Sequence, residues 1–359
     1  MEADYDLIVA GGGPAGSACA ITAARGSARV LLLEKSCLPR HKVCGEFVSS
    51  ESLRLLQALL ERDLFQALPE IASARIFLDG KSFAIPVSPP ARSIPRFDLD
   101  AALLAAAQNC GVDVQQDKTV SRVTPGEVFR VEVGANTVSA RAMVNGTGRW
   151  SQLTRFDAAG RQKWIGLKAH FNESQPSSSV DLYFFGSGYC GVQPVSENAI
   201  NVCAMVRAQA ATSLDEVFAL HPELWRRSRG WEQRFATITT AGLHFHKPQT
   251  EDRGMLLAGD SAAFIDPFVG DGISLALHSG TMAAQSLLPF LTGHCSLADV
   301  HRRYAIAYRQ RLAPALRNAE RLRRVLSAPV WLRSTAMTIA GKKLVGELLV
   351  RSTRARTME

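Results

Sequence analysis

The chain has 359 residues, enough for two domains or one large domain with an insertion, and for a core that needs no disulfide or metal. Hydrophobic residues make up 47% and charged residues 21%, close to globular averages, which excludes collagen, a coiled coil and wholesale disorder. The acidic start, residues 1–6, is unlike a signal peptide, and the seven cysteines lack paired spacing. We therefore expect reduced thiols in a cytoplasmic protein.

Basic residues are concentrated near the C-terminus. The net charge is +8, yet residues 302–356 alone hold 14 Lys and Arg against two acids. A basic tail can contact nucleic acid, anionic lipid or nothing at all. The two long uncharged stretches, 7–24 and 272–298, contain Gly and Pro and many small residues, so neither predicts a membrane span.

The first 35 residues predict a nucleotide site. A strand-length apolar run, Asp6–Ala10, leads into Gly11-Gly12-Gly13-Pro14-Ala15-Gly16, a small-residue helix, a second apolar run and then Glu34. Gly11 permits a tight turn, Gly13 lets the backbone approach a pyrophosphate, and Gly16 lets helix and strand pack closely. Glu34 is placed to accept hydrogen bonds from ribose hydroxyls. Strand, turn, helix, strand and acid together make this a specific motif.

A basic loop follows Glu34 and contains a cysteine. Cys44 follows three basic residues, Arg40, His41 and Lys42, and such cations stabilise a thiolate. Gly45 has no side chain, so the backbone there can approach the ring of a bound ligand closely. Cys44 is either a catalytic or substrate-gating thiol or inert packing, and neutralisation of cofactor phosphates is the alternative role for the cations. Cys37 and Cys44 do not form the C-x4-C pair of flavin disulfide reductases, so that enzyme class is not favoured.

Strand-like runs fill the middle of the chain and interrupt the nucleotide fold, which predicts an inserted substrate domain. They are 74–78, 165–171, 180–185, 200–206 and 235–245. His170, Tyr189, His244 and His246 are its polar pocket candidates. His244 and His246 share a strand face but lack a third metal ligand, and an ordinary hydrogen-bonded role is the alternative for each. The Trp-x-Trp motif of halogenases does not occur in the sequence. Lys81, the one candidate for the lysine that reacts with hypohalous acid in halogenases, is thin support for that class by itself.

A second signal lies some 250 residues after the first. The buried run Met255–Ala258 is followed by Asp260 and by a Pro- and Gly-rich turn that opens a long small-residue helix. Such an acid sits at the carboxyl edge of a sheet, where α/β proteins bind ligands. An ordinary N-cap or turn residue is the alternative for Asp260.

Together, GGGPAG with Glu34 and AGDSAAFIDPFVGDGI resemble the two FAD fingerprints of the para-hydroxybenzoate hydroxylase and geranylgeranyl reductase superfamily. The resemblance implies that Asp260 bonds the ribityl chain and that the segment 270–273 lies by the flavin. It also implies that Arg96 lies near the cofactor and that the Cys44 loop lies beside the flavin. Thr147 stands where hydroxylases carry the acid of an Asp-Gly motif.

The predicted site residues fall into two sets and include no metal ligand. The cofactor set is Gly11, Gly13, Pro14, Ala15, Gly16, Glu34, Lys35, Arg40, Cys44, Gly45, Arg96, Gly148, Asp260, Gly270, Gly272 and Ile273. The catalytic set is Cys44, Tyr189 and His170. The cofactors are FAD and NAD(P)H as a transient reductant, since no second Gly-rich nucleotide motif occurs.

The predicted fold class is α/β, a Rossmann-like FAD-binding domain with an inserted substrate-binding β-sheet domain and a C-terminal helical tail. The FAD-binding domain takes 1–73, 94–160 and 250–300, the substrate domain 74–93 and 161–249, and the basic tail 301–359. The predicted function is hydroxylation of an apolar phenolic or polyketide-like substrate, because this chain has Gly191 and Gln193 where the aromatic hairpin of the reductases has Trp and Phe. Saturation of C=C bonds in an isoprenoid and a redox sensor without turnover are the alternatives.

The tail predicts helices from Tyr304 onward with breaks at Pro314 and Pro329. Around Trp331 the apolar positions fit one helical face and the cations fall mostly elsewhere, as in a helix that lies in a membrane interface. A helix packed on the substrate domain fits the same pattern. Nucleic acid is not expected as a partner, because no aromatic platform accompanies the cations.

Overall fold

The structure, a computed structural model, describes residues 3–149, 153, 164–243, 245–330, 333 and 352–354. The strands are β1 Tyr5–Ala10, β2 Val30–Leu33, β3 Phe47–Val48, β4 Glu70–Leu78, β5 Lys81–Ser93, β6 Asp113–Gln115, β7 Val120–Thr124, β8 Phe129–Val133, β9 Asn136–Asn145, β10 Trp164–Asn172, β11 Ser179–Phe185, β12 Gly188–Ser196, β13 Ala199–Arg207, β14 Glu232–Gln233, β15 Ile238–Leu243, β16 Glu251–Asp252 and β17 Met255–Leu257. The α-helices are α1 Pro14–Arg25, α2 Ser50–Leu60, α3 Arg96–Asn109, α4 Leu214–Ala219, α5 Pro222–Ser228, α6 Gly272–Leu291, α7 Leu297–Arg311 and α8 Ala313–Leu326.

The first sheet has a parallel centre in the order β17-β9-β1-β2-β6, to which β7, β8 and β16 add antiparallel strands. Strands β1 and β2 are continuous apolar runs because the centre of a parallel sheet is covered on both faces. Helices α1, α2, α3, α6 and α7 contribute to the main core beside this sheet. The carboxyl ends of β1, β2, β9 and β17 meet at one edge, where ligands bind in such folds.

The second sheet runs in the order β14-β10-β13-β12-β11-β4-β5-β3, with β15 also paired to β10. It is antiparallel except for the β11–β4 pair. One face packs on α4 and α5 through a separate core that includes Leu167, Val202 and Phe218. The other face turns towards the loop that carries Cys44, and we call it the inner face.

This arrangement confirms the predicted α/β class with a Rossmann-like domain, a second sheet and C-terminal helices. The second sheet includes β3, Phe47–Val48, and its strand β4 begins at Glu70. Both positions lie in the stretch 1–73 that was predicted to belong to the first domain. Helix α7 begins at Leu297, before the predicted start of the tail, and its Tyr304 is fully buried in the main core. The predicted strand 235–245 is shorter in the structure, where β15 spans Ile238–Leu243.

The structure describes the helical tail without a gap as far as Val330, and α7 and α8 meet just before Pro314. Trp331 and most of the predicted amphipathic helix lie outside the described residues. Among the helices that are described, none has the length and apolar character that crossing a membrane requires.

Candidate functional site

The glycines of the first motif are held by close backbone contacts. Gly11 has a φ of +99°, and a Cβ there would lie 2.6 Å from the Gly146 carbonyl oxygen. A Cβ on Gly16 would lie 1.8 Å from the Gly11 carbonyl oxygen. Helix α1 begins at Pro14 without a side-chain cap, so its N-terminal N–H groups are available to an anion.

Two cations stand in front of this helix terminus. The space where a Gly13 side chain would begin is 3.8 Å from both the Arg96 Nη2 and the Lys42 Nζ. Both cations pair with Asp100, through two 2.7 Å bonds from Arg96 and one of 2.9 Å from Lys42. Burial alone would raise the pKa of Asp100, but Arg96 and Lys42 hold it below its usual value. One acid against two cations leaves a net positive charge, which fits the pyrophosphate of a dinucleotide.

Glu34 is buried directly after β2. Its two carboxylate oxygens accept hydrogen bonds from the Gly12 N–H at 2.7 Å and the Ser36 N–H at 3.1 Å. This places the carboxylate beside the glycine turn, where a ribose would meet it. Lys35 points to solvent, and Arg40 is half-buried with its Nε lacking a partner among the described residues.

The second motif lies at the same sheet edge, directly after β17. Asp260 is half-buried and pairs with Arg149 at 3.1 Å, and the Gly148 N–H donates to the Ser261 hydroxyl at 2.9 Å. Gly272 opens helix α6, and nothing lies within 4 Å of where its Cβ would be. These groups fit the ribityl chain and ring of a flavin, since they combine a carboxylate with an accessible helix terminus.

Three predicted cofactor residues serve packing in this structure. Ala15 and Ile273 are buried in the main core, and a Cβ on Gly280 of α6 would lie 2.0 Å from the Ala15 carbonyl oxygen. Gly270 has a φ of +71° and lies against Phe47. They shape the edge of the site through the backbone rather than through side chains.

The Cys44 loop bridges the two sheets. The Cys44 thiol accepts a hydrogen bond from the Glu46 N–H at 3.3 Å and interacts with Arg96. Asn201, on the inner face, donates to the Cys44 and Gly45 carbonyl oxygens at 3.1 and 2.9 Å. Nothing lies within 4 Å of where a Gly45 Cβ would be, so the backbone is open on that side.

Next to this loop is a buried ionic cluster of Glu46, Lys168 and the predicted His170, of which Glu46 and Lys168 were missed from the sequence. Glu46 accepts hydrogen bonds from Lys168 and, at 2.8 Å, from the His170 Nε2 when that nitrogen carries its proton. Lys168 and Glu46 are both fully buried. Burial would raise the pKa of Glu46, but the bond to His170 and the charge of Lys168 outweigh it and lower the pKa. The only signal in the sequence was a lysine inside an otherwise apolar strand run.

Strand register arranges the inner face in three rows. The polar row is His170, Asn201 and Gln193, which are direct cross-strand partners on β10, β13 and β12. The middle row is Lys168, Cys203, Gly191 and Leu182. The apolar row is Gly166, Met205, Tyr189 and Phe184.

The apolar row meets the loop that follows Asp260. Leu182, Tyr189 and Met205 cluster with Phe264, and Phe268 lies edge-on to the Tyr189 ring at 6.0 Å. Burial raises the pKa of Tyr189 well above its usual value, so its phenol stays protonated. The two predicted catalytic residues of this sheet are therefore in different rows, with His170 beside Glu46 and Tyr189 among aromatic rings.

Other predicted candidates lie away from this face. Lys81 is exposed at the β4–β5 turn, far along the hairpin from the Cys44 loop. His246 follows β15 in irregular structure, and His244 lies outside the described residues. Within the described part of the chain, no group of three or more His, Cys, Asp or Glu side chains could hold a metal ion.

Several characterised proteins are similar to this chain over most of their length. The menaquinone reductase of Mycolicibacterium smegmatis is 23% identical, with 97% of this chain and 93% of that protein covered. Digeranylgeranylglycerophospholipid reductase 2 of Methanopyrus kandleri is 24% identical, with 90% and 87% covered. A flavin-dependent brominase structure superposes with a TM-score of 0.83 at 20% identity, over 97% of this chain and 93% of that one. A geranylgeranyl bacteriochlorophyll reductase-like structure from Thermoplasma acidophilum gives 0.78 at 19% identity, over 97% and 95%.

The fold and the two fingerprints define an FAD-dependent oxidoreductase of the predicted superfamily, which confirms that prediction. Residues 5–212 match the model of the pyridine nucleotide-disulphide oxidoreductase family, and the chain belongs to that family. Cys37 and Cys44, the two cysteines of the loop after Glu34, are both free.

Proposed function

We propose that the protein uses NAD(P)H and FAD to hydroxylate an apolar phenolic or polyketide-like substrate bound against the inner face. The redox chemistry, reduction by NAD(P)H followed by activation of O₂, belongs to FAD when it is bound. The protein's part is to bind the cofactor, place the substrate beside it and exclude water. Arg96, Lys42, Glu34 and Asp260 are the residues proposed to hold FAD.

The observation that carries this proposal is the graded polarity of the inner face. Its polar row ends on the His170–Glu46 pair, and its apolar row ends on Phe184 and Phe268. Gly191 in the middle row leaves room, since a Cβ there would make only ordinary contact with Leu182 at 3.4 Å. A substrate with a polar ring and an apolar remainder matches this surface. His170, oriented by Glu46 through Nε2, can accept the proton of a phenol.

A second candidate function is saturation of a C=C bond in an isoprenoid. Such a reaction needs a hydride and a proton, and the Cys44 thiol beside Arg96 can donate the proton. The names of the reductases from Mycolicibacterium and Methanopyrus favour this candidate. This chain has Gly191 and Gln193 where the aromatic hairpin of the reductases has Trp and Phe, and this difference argues against the second candidate.

Product analysis with and without O₂ tests the two candidates. A hydroxylase forms product from substrate and NAD(P)H only in air, whereas a reductase forms product under anaerobic conditions. We expect oxygen-dependent product, and an oxygen-independent product would replace the first candidate by the second. A protein that oxidises NAD(P)H for no more than one turnover with any substrate would instead be the redox sensor. Denaturation should release FAD and not FMN, because the glycine turn and Glu34 fit an adenosine half.

A further inference from the structure

Asn201 carries a buried hydrogen-bond acceptor that lacks a donor. Its side chain is on the inner face and the residue is 1% exposed. The Nδ2 group donates to the Cys44 and Gly45 carbonyl oxygens, while Oδ1 has no partner among the described residues. Turning the amide over would place Oδ1 against two carbonyl oxygens, so the contacts of Nδ2 fix which atom is left unpaired. A buried acceptor without a donor is costly, so it calls for a ligand.

The neighbours of Asn201 in the polar row extend this acceptor into a small polar surface. Cross-strand partners have Cβ atoms about 4.5–5.5 Å apart, so His170 and Gln193 flank Asn201 within reach of one ligand group. The His170 Nε2 is bonded to Glu46, and the Gln193 Nε2 donates to the Ser93 hydroxyl at 2.7 Å. These contacts hold both flanking side chains in place.

The apolar row fixes the kind of molecule that this surface fits. It lies four residues from the polar row on each strand, which is about 13 Å at 3.3 Å per residue. Between the rows stand the small residues Gly191 and Cys203. A ligand that satisfies both ends carries a hydroxyl at one end and an apolar body of about this length.

We propose that Asn201 Oδ1 accepts a hydrogen bond from a hydroxyl of the substrate as it binds, before His170 takes that proton, and thereby selects phenols or enols with an apolar tail. This inference rests on the function proposed above, because it concerns the substrate of the same site. An N–H of the flavin ring is the other source of a donor. The position of Asn201 on the substrate sheet, in register with His170, favours the substrate.

Binding of a matched pair of probes to the FAD-loaded full chain tests the inference. 4-Nonylphenol carries the donor, whereas 4-nonylanisole has the same ring and chain with a methyl group in place of the donor hydrogen. Titrations followed by the flavin absorbance spectrum should show the phenol binding about tenfold more tightly than the anisole. Asn201→Leu should bring this ratio to about one while the affinity for the anisole stays the same. Asn198→Leu, at an exposed turn of the same hairpin, should keep the tenfold preference.

Four results separate the possibilities. A ratio near one in the unaltered protein, or a preference that persists in Asn201→Leu, overturns the inference, while probe binding leaves the proposed function in place. A weaker FAD affinity in Asn201→Leu with the ratio unchanged assigns Oδ1 to the flavin and also overturns it. If neither probe binds or supports NAD(P)H oxidation, the proposed function fails and the inference with it. Should Asn201→Leu not fold, Asn201→Val, whose branched side chain suits a strand, gives the same comparison.

Discussion

Lys168 shows how much a single buried residue can decide in this protein. It lies on a strand between apolar neighbours, yet its side chain is fully buried on Glu46 and ties the second sheet to the Cys44 loop. A buried charge pair has a large desolvation cost, so removing one partner is far more damaging than replacing both.

We expect Lys168→Met to lower the free energy of unfolding by about 3–5 kcal/mol, because Glu46 would keep its charge without its ammonium partner. Lys168→Met with Glu46→Gln should recover part of this loss, since no unpaired charge then remains. Denaturant unfolding at saturating FAD measures both variants. The exposed Lys118→Met serves as the control and should change little. A double variant less stable than the single one would show that the pair is not what Lys168 stabilises.

Asp260 is the second residue with a specific expected effect. Asp260→Ala should weaken FAD binding by roughly tenfold to a hundredfold, because a charge-assisted hydrogen bond contributes about 1.5–3 kcal/mol. Equilibrium titration of the apoprotein with FAD measures this loss. Asp215→Ala, exposed on α4, should leave the affinity unchanged. Unaltered FAD affinity in a folded Asp260→Ala protein would reject the ribityl assignment and leave Asp260 as the partner of Arg149.

At the scale of elements, the contact between α1 and α6 positions both fingerprints. The two helices approach so closely that Gly280 lies against the Ala15 backbone, and Ser279 accepts a hydrogen bond from the Gly259 N–H at 2.8 Å. Helix α6, which begins at the end of the second fingerprint, therefore packs directly on helix α1, which begins within the first. This contact joins the segments that follow β1 and β17, whose carboxyl ends lie on either side of β9 at the same sheet edge.

We expect Gly280→Ala to destabilise the protein and to weaken FAD binding. Alanine is favoured over glycine in a helix by about 1 kcal/mol, but the new Cβ would lie 2.0 Å from a backbone oxygen and force the helices apart. Overpacking of this kind costs about 1–3 kcal/mol or more. Thermal unfolding and FAD titration measure the effect, with Gly230→Ala, where a Cβ meets nothing within 4 Å, as the control. A more stable Gly280→Ala protein would mean that helix propensity outweighs the clash.

At the scale of the whole molecule, two arginines of the basic tail, Arg333 and Arg354, contact residues outside the tail. Arg333 pairs with Asp79 of the β4–β5 turn, with one bond of 2.7 Å. Arg354 approaches Asp271, the residue before α6, at 3.4 Å and lies over the Phe47 ring. The Asn318 side chain donates to the Ser352 carbonyl oxygen at 2.7 Å. The tail therefore contacts the second sheet, at the β4–β5 turn and at β3, and the segment that leads into α6.

Membrane contact by the tail stays a proposal, and co-sedimentation with vesicles tests it. Each Lys or Arg near an anionic bilayer contributes about 1 kcal/mol, so the full chain should pellet with phosphatidylserine-containing vesicles at low salt and be released by high salt. A chain truncated after Ala328 should stay in the supernatant. If neither form pellets, the tail is structural, and the Arg333 and Arg354 contacts already give it that role.

The sequence by itself determined the features that depend on local order along the chain. The glycine turn, Glu34 and the second fingerprint are contiguous motifs, and parallel strands bring their ends to one edge, so the FAD-binding half of the fold could be predicted. The tertiary structure alone decided the inner face. His170, Asn201 and Gln193 come from separate strands, and their row depends on pairing register, where a shift of one residue would turn each side chain to the opposite face. Glu46 and Lys168 are 122 positions apart in the sequence, so only folding brings this loop carboxylate to this strand ammonium. Both are buried, and a buried charge without an oppositely charged partner has a high free-energy cost.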